Sequence, residues 1–334
     1  VRVVDTHAHV IPQTLVDAML AGRAPDGITI AEHEGVPWVV HRQGYRYPLL
    51  AEFHDVQIRL KAMDACGIDS AVLSVAPPLF LYWIEASEAA AAARAVNNAI
   101  AEMVTRAPDR FTGLATLPLQ DPGAAVAELR RCVVGLGFRG AQVGPHAEGV
   151  PLDDDSLRPV LAAAAELSVP LVVHPYYVGS TPGPLSDFYL TNLQGNPWQT
   201  AVCASRLILS GALDAVPGLD LVLVHGGGHL PYQVGRLDHG HRVRPEARGC
   251  AHPPSDYLRR FHFDTLTHST AAVRFLIDQV GSDRVVLGTD MPFDMGAGGL
   301  DEQLAGLQLS TADLQAIASG NAERLFGRQG DDEL

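Results

Sequence analysis

Short apolar runs recur along this chain, and longer helix-patterned stretches separate them. The runs fall at residues 2–5, 70–74, 112–115, 140–143, 170–173, 221–224, 261–264 and 285–287. Most are apolar at both parities and rich in β-branched residues, as strands buried on both faces of a parallel sheet should be. Helical patterns cover residues 56–65, 86–106, 122–136, 157–167, 200–213 and 271–280. Asp121-Pro122 reads as a helix cap followed by a first-turn proline. Strands alternating with helices predict an α/β fold, a (β/α)8 TIM barrel. A doubly wound sheet competes, but it lacks its usual GxGxxG after the first strand. The 334 residues fit one such domain, 1–334. Three segments break the alternation. Residues 12–54 read as a small insertion after the first strand, with Ile28–Ile30 and Trp38–His41 as short strands. Residues 175–199 and 242–255 read as long loops on the catalytic face.

What sits at the strand ends narrows the chemistry. The first strand runs into Asp5-Thr6-His7-Ala8-His9. Residues two apart in a strand share a face, so both imidazoles can converge on one point. Three later strands end at His174, His225 and Asp290. Parallel strands deliver all of these to one edge. Burying several imidazoles and a carboxylate uncompensated is costly, and a divalent metal held by nitrogen and oxygen ligands explains them together.

Composition excludes other classes. With 24 Lys+Arg against 38 Asp+Glu, the net charge of −14 disfavours nucleic acid and anionic membranes as partners. No apolar run is long enough to span a bilayer. The four cysteines, Cys66, Cys132, Cys203 and Cys250, form no CxxC pair, which argues against a cysteine zinc site and a disulfide framework. The short stretch before His7 reads as a strand and not a signal peptide, so a reducing, cytoplasmic setting is expected. Gly226-Gly227-Gly228 lacks the Lys-Ser/Thr of a P-loop, and no GxSxG elbow occurs.

Together these residues resemble the amidohydrolase superfamily. The likeness is to the branch of aminocarboxymuconate-semialdehyde decarboxylase and related aromatic-acid decarboxylases. It is carried by Asp5-Thr6-His7-Ala8-His9, Leu117-Pro118-Leu119-Gln120-Asp121-Pro122, Val173-His174-Pro175, His225-Gly226-Gly227-Gly228, Gly235-Arg236-Leu237-Asp238, Thr289-Asp290-Met291-Pro292-Phe293 and Ser319-Gly320-Asn321-Ala322, in order along nearly the whole chain. The resemblance implies that His7, His9, His174 and Asp290 bind one catalytic metal, most simply Zn2+. It implies that His225 is the acid/base, with Asp290 also able to relay a proton. Arg236 matches an arginine that reaches the neighbouring subunit's site and holds a substrate carboxylate, so a homodimer is expected. Arg46 lies near a second such arginine, offset by about one residue. Trp198 and Phe293 are placed with the substrate. The expected reaction is non-oxidative decarboxylation of a small unsaturated or aromatic carboxylic acid.

One departure opens an alternative. His229 stands where the resembled family has a small residue. If a helix begins within the glycines, His225 and His229 lie about one turn apart and both can face the metal. The site then holds two ions, iron being the alternative to zinc, and the enzyme is a hydrolase or a di-iron oxygen-activating hydroxylase with a larger apolar substrate. Otherwise His229 caps or packs beside the mouth. His146 and His268 follow other strands and can reach the same mouth. His239, His241, His252 and His262 read as solvated. Trp38, Trp83, Tyr176 and Tyr177 are candidates for pocket lining.

Overall fold

In the computed structural model, residues 1–42, 45–176 and 183–327 are described; the candidate Tyr177 lies outside them. Among the described residues fourteen strands form in chain order: β1 Val4–Val10, β2 Ile28–His33, β3 Val36–His41, β4 Arg46–Pro48, β5 Ser70–Val75, β6 Phe111–Gly113, β7 Ala115–Thr116, β8 Ala141–Val143, β9 His146–Ala147, β10 Val150–Pro151, β11 Leu171–Val173, β12 Leu221–Leu223, β13 Phe261–Asp264 and β14 Val285–Val286. Two parallel sheets carry the fold, in the orders β1-β5-β6 and β14-β13-β12-β11-β8-β7. At one seam a single segment serves both sheets: β6 and β7 are separated by Leu114 alone, whose N donates to Leu73 O beside β5, while Ala115 N donates to Gly140 O beside β8, both at 2.9 Å. At the other seam Thr6 N donates to Leu287 O (2.9 Å), His9 N to Met291 O (2.8 Å) and Asp290 N to His7 O (2.7 Å). Between β1 and the helix Val56–Ala65, the chain makes a helix, Gln13–Leu20, and the antiparallel sheet β2-β3-β4.

The period-two alternation of the strands sorts their side chains. Val4, Val72, Val172, Val222 and Val286 pack together with Ala322 and Phe326 of the helix Asn321–Phe326. Their strand neighbours Leu171, Val173, Leu221 and Leu223 join the other, larger core. The helices Val56–Ala65 and Ala86–Arg106 match their expected bounds. Asp121 does cap the helix at Pro122, accepting from Ala124 N at 3.0 Å. The helix expected over 122–136 keeps those bounds, its α-helical part Pro122–Arg130 continuing as a π-turn, Arg131–Gly135. Other boundaries moved. The helix expected from residue 200 begins at Asn196. β1 does not end at Asp5 but runs on through His9, because Ala8 and His9 pair with Leu73 and Ser74 across a register shift. Among the described residues, no helix is long and apolar enough to cross a membrane.

His262 corrects its sequence reading. It is buried in β13, paired beside Val222, with the parity of Asp264. An expected consequence follows for acid stability. Burial pushes both His41 and His262 down from 6.5 to about 4. Each is neutral when folded, whereas the unfolded chain binds a proton below its ordinary value. Between pH 6.5 and 4 the unfolded state therefore gains protons and stability falls with pH. Asp5, raised by burial from 3.8 to about 6, acts in the opposite sense but is one group against two. Urea unfolding is expected to show a net loss on the order of 2 kcal/mol between pH 7 and pH 5. A flat profile would mean that neither histidine is sealed from water.

Candidate metal centre

Four side chains converge at the C-terminal end of the parallel strands. His7 and His9 come from β1, His174 directly follows β11, and Asp290 lies in the segment after β14 that bonds to β1. One donor atom from each lies within 4.8 Å of all the others. All four residues are buried.

The outer hydrogen bonds decide which atoms face inward. His7 Nδ1 donates to Asp264 Oδ2 at 2.8 Å. His174 Nδ1 lies 2.6 Å from Pro175 O, and a carbonyl can only accept. Ser74 Oγ donates to Gln142 Oε1 at 2.7 Å, so it accepts from His9 Nδ1 at 3.2 Å. Each ring thus spends its N–H outward and turns the Nε2 lone pair toward the centre. His7 Nε2, His9 Nε2, His174 Nε2 and Asp290 Oδ1 are buried and make no hydrogen bond. His9 Nε2 and His7 Nε2 lie 2.9 Å and 3.4 Å from Asp290 Oδ1. Four buried lone-pair donors facing one another without a proton donor are stable only around a cation, so the residues fit a divalent ion.

The electrostatics agree. Burial pushes His9 down to about 4 and holds His174 well below its ordinary value, so both are neutral ligands at neutral pH. Burial opposes ionisation of Asp290, but His7, His225 and His9 outweigh it and hold the carboxyl well below the usual range. His7 moves the other way: burial depresses it, yet Asp290 and Asp264 together raise it. Without a cation, a proton on His7 supplies the positive charge that the cluster draws in.

His225 closes the group from above. Its ring centroid lies 5.4 Å from that of His7 and 5.2 Å from that of His174. Its Nε2 is 3.9 Å from Asp290 Oδ2, and its side chain is 15% exposed against 8% for Asp290. It is the wettest member of the cluster. His225 and Asp290 both hold left-handed backbone, at φ 55° and 60°, strain of the sort that collects at working sites.

The glycines explain how His225 is carried. Residues 226–228 continue the left-handed run, with φ from 60° to 73°. A Cβ on Gly228 would lie 1.9 Å from Pro197 O, and one on Gly226 2.6 Å from Thr267 Cγ2. The glycines thus accommodate neighbouring protein. Gly228→Ala is expected to cost at least about 2 kcal/mol in a melting or urea experiment, with activity lost in parallel; wild-type stability would show that the segment repacks freely.

The helix after this run starts at Leu230, so His225 and His229 do not share a helical turn. His229 is exposed and lines a surface cavity of about 420 Å³ with Ser205, Leu230, Gln233, Arg236 and Leu237. Arg236 is exposed there and, among the described residues, makes no ion pair. Arg46 is exposed on β4. Phe293 is brought in, its ring 5.4 Å from that of His9 and packed on Tyr47 and Phe53. Trp198 is 51% exposed on the helix Asn196–Leu209. Trp83 packs near His41, and Tyr176 between Phe80, Tyr82 and His146. His146 meets Gln199 at 2.9 Å, and His268 is exposed.

Sequence reading missed the supporting shell. Asp264 grips His7 from β13, Gln142 on β8 orients the Ser74 hydroxyl that accepts from His9, and the Arg59 guanidinium, buried in the helix Val56–Ala65, donates to the His9 carbonyl. Asp5 accepts from Thr289 N and Oγ1, beside Asp290, at 3.1 and 2.6 Å. Only position was available as a signal: Asp264 ends a recognised strand at the ligand-bearing edge.

A family model described as Amidohydrolase matches residues 4–328. The 2-amino-3-carboxymuconate-6-semialdehyde decarboxylase of Dictyostelium discoideum is 34% identical over 279 residues, covering 82% of this chain and 77% of that protein. The gamma-resorcylate decarboxylase of Rhizobium radiobacter is 35% identical over 337 residues, covering 91% and 98%. Among solved structures, a dihydroxybenzoic acid decarboxylase from Polaromonas sp. JS666, with manganese and 2-nitroresorcinol bound, superposes with TM-score 0.76 at 30% identity, covering 97% of this chain and 96% of that one.

Proposed function

This chain belongs to the amidohydrolase family, and from that premise we infer that it is a metal-dependent decarboxylase, a carboxy-lyase acting on a small aromatic or unsaturated carboxylic acid. The observation that carries the reading is the buried set of four donor atoms without a hydrogen-bond partner, in a chain whose relatives named above are decarboxylases. The binuclear hydrolase or hydroxylase alternative is not favoured: the named relatives release CO2, and His229 lies exposed outside the four-donor cluster.

His7, His9, His174 and Asp290 would hold the ion. A bound divalent cation supplies Lewis-acid stabilisation of negative charge on the substrate's oxygens. The donor set of three imidazoles and one carboxylate suits Zn2+, while the Polaromonas relative binds manganese; elemental analysis of protein purified without chelator decides between them. His225 is placed to deliver a proton to the carbon that loses CO2, so that the C–C electron pair ends in a new C–H bond. Asp290 Oδ2, 3.9 Å from His225 Nε2, sets a negative charge beside that ring. Phe293 offers an aromatic wall beside His9.

The chain is read as one closed (β/α)8 barrel domain, 1–334, with the segment 12–54 as an insertion. The continuous segment through β6 and β7 at one seam and the hydrogen bonds from β1 to residues 287–291 at the other support the closure. A homodimer follows from Arg236, whose exposed guanidinium would hold a carboxylate in the partner's site; exposed Trp198 and Tyr232 nearby suit an interface. Arg46 is a second candidate for that carboxylate.

A panel of hydroxybenzoates and muconate-type acids, assayed for CO2 release before and after chelation and metal add-back, tests the activity. Release that stops on chelation and returns with the ion is expected; no release from any acid tested would count against the reading. Arg236→Ala is expected to raise KM at least about tenfold, as loss of a charge-assisted bidentate contact should. An unchanged KM would remove the arginine's role.

A further inference from the structure

We propose that Asp264 is a positioning residue that fixes a metal ligand and the acid/base group together, which rests on the metal-dependent reading above. Asp264 touches neither the cluster centre nor the mouth. It is fully buried at the end of β13 and acts through two neighbours. Its Oδ2 accepts from His7 Nδ1 at 2.8 Å. Its Oδ1 accepts from Gly226 N at 2.8 Å and from Leu266 N at 3.1 Å. A carboxylate already accepting two N–H bonds on one oxygen is held as an anion. An anion can only accept, so the proton between it and His7 sits on Nδ1. That leaves Nε2, the atom without a partner, as the ligand atom.

The second arm reaches the acid/base side. Gly226 directly follows His225, and both hold left-handed backbone. Tying Gly226 N to Asp264 fixes the peptide on which the His225 ring is mounted. Gly288 leaves this arrangement no slack: a Cβ there would lie 2.8 Å from Asp264 Cβ and 2.9 Å from His7 Cβ. One side chain therefore sets the spacing between the ligand cluster and the proton donor.

Asp264→Asn separates this role from bulk packing. The amide keeps the volume but has one acceptor oxygen, which can serve His7 or the Gly226 turn but not both. Metal-free protein titrated with Co2+ is expected to bind about 10–100-fold more weakly, the usual loss for an outer-shell partner. The visible Co2+ spectrum should change as His7 loses its fixed tautomer. At saturating metal, kcat should fall by a similar factor with KM within about twofold. Should the variant not fold, ¹⁵N-histidine NMR of the wild-type Zn2+ protein, with His7 assigned by its loss in His7→Asn, reads the same point. A proton on Nδ1 is expected, and one on Nε2 overturns the proposal. Asp264→Asn binding Co2+ within twofold of wild type, with an unaltered spectrum, overturns it too while leaving the proposed function intact. Wild-type protein that takes up no cation at all overturns both.

Discussion

Replacing His225 by Asn is expected to lower kcat by about 10²–10⁴-fold, the usual worth of a positioned acid or base, with metal content unchanged. The reasoning starts from the backbone. His225 sits at φ 55°, a region that Asn enters far more readily than other non-glycine residues. The substitution therefore removes the imidazole without unseating the turn, which Ala would strain. His225 also lies outside the four donors that come within 4.8 Å of one another. Its loss should leave the cation in place. KM is expected to move little, because the ring serves the proton and not the carboxylate. Product formed in D2O by the wild type should carry deuterium at the carbon that lost CO2. A variant with kcat within threefold of wild type, or one that loses its metal, would return His225 to a ligand or a bystander.

The ligands were legible in the sequence because they ride on local rules. A strand of period two places His7 and His9 on one side, and strand ends name His174 and His225 directly. What the sequence hid was mostly non-local. β1 passes through its motif because Ser74 and Met291 pair with it from elsewhere in the chain. Asp264 gains its meaning only when β13 is folded beside β1, and nothing in Phe261-His262-Phe263-Asp264 marks its last residue as His7's partner. His262 was misread for a related reason: flanking arginines suggested solvent, but its parity in the strand turns it inward beside Val222. His229 failed by backbone conformation. Helical spacing from His225 assumes right-handed geometry, and the run from 225 to 228 is left-handed throughout.

Asp290→Asn is expected to abolish activity and to lower affinity for the divalent ion by more than the 10–100-fold typical of an outer-shell partner. Asn keeps the size of Asp290 and tolerates its φ of 60°, so the change is one of charge. The carboxylate is the one anion among the four donors, and it answers both His7 and His9. Without it, three buried imidazoles would face a dication with no negative ligand. The raised state of His7 also depends on Asp290, so the metal-free cluster should lose its proton at lower pH in the variant. Thermal melting separates these effects. A ligand present at 100 times its Kd adds about 2.7 kcal/mol to the folded state. Wild-type protein should therefore melt higher with added Zn2+ or Mn2+ and lower after chelation. The variant should melt at one temperature in both conditions. If it shows the full metal-dependent shift, Asp290 is not a ligand, and the cluster must draw its negative charge from a residue other than the one the geometry selects.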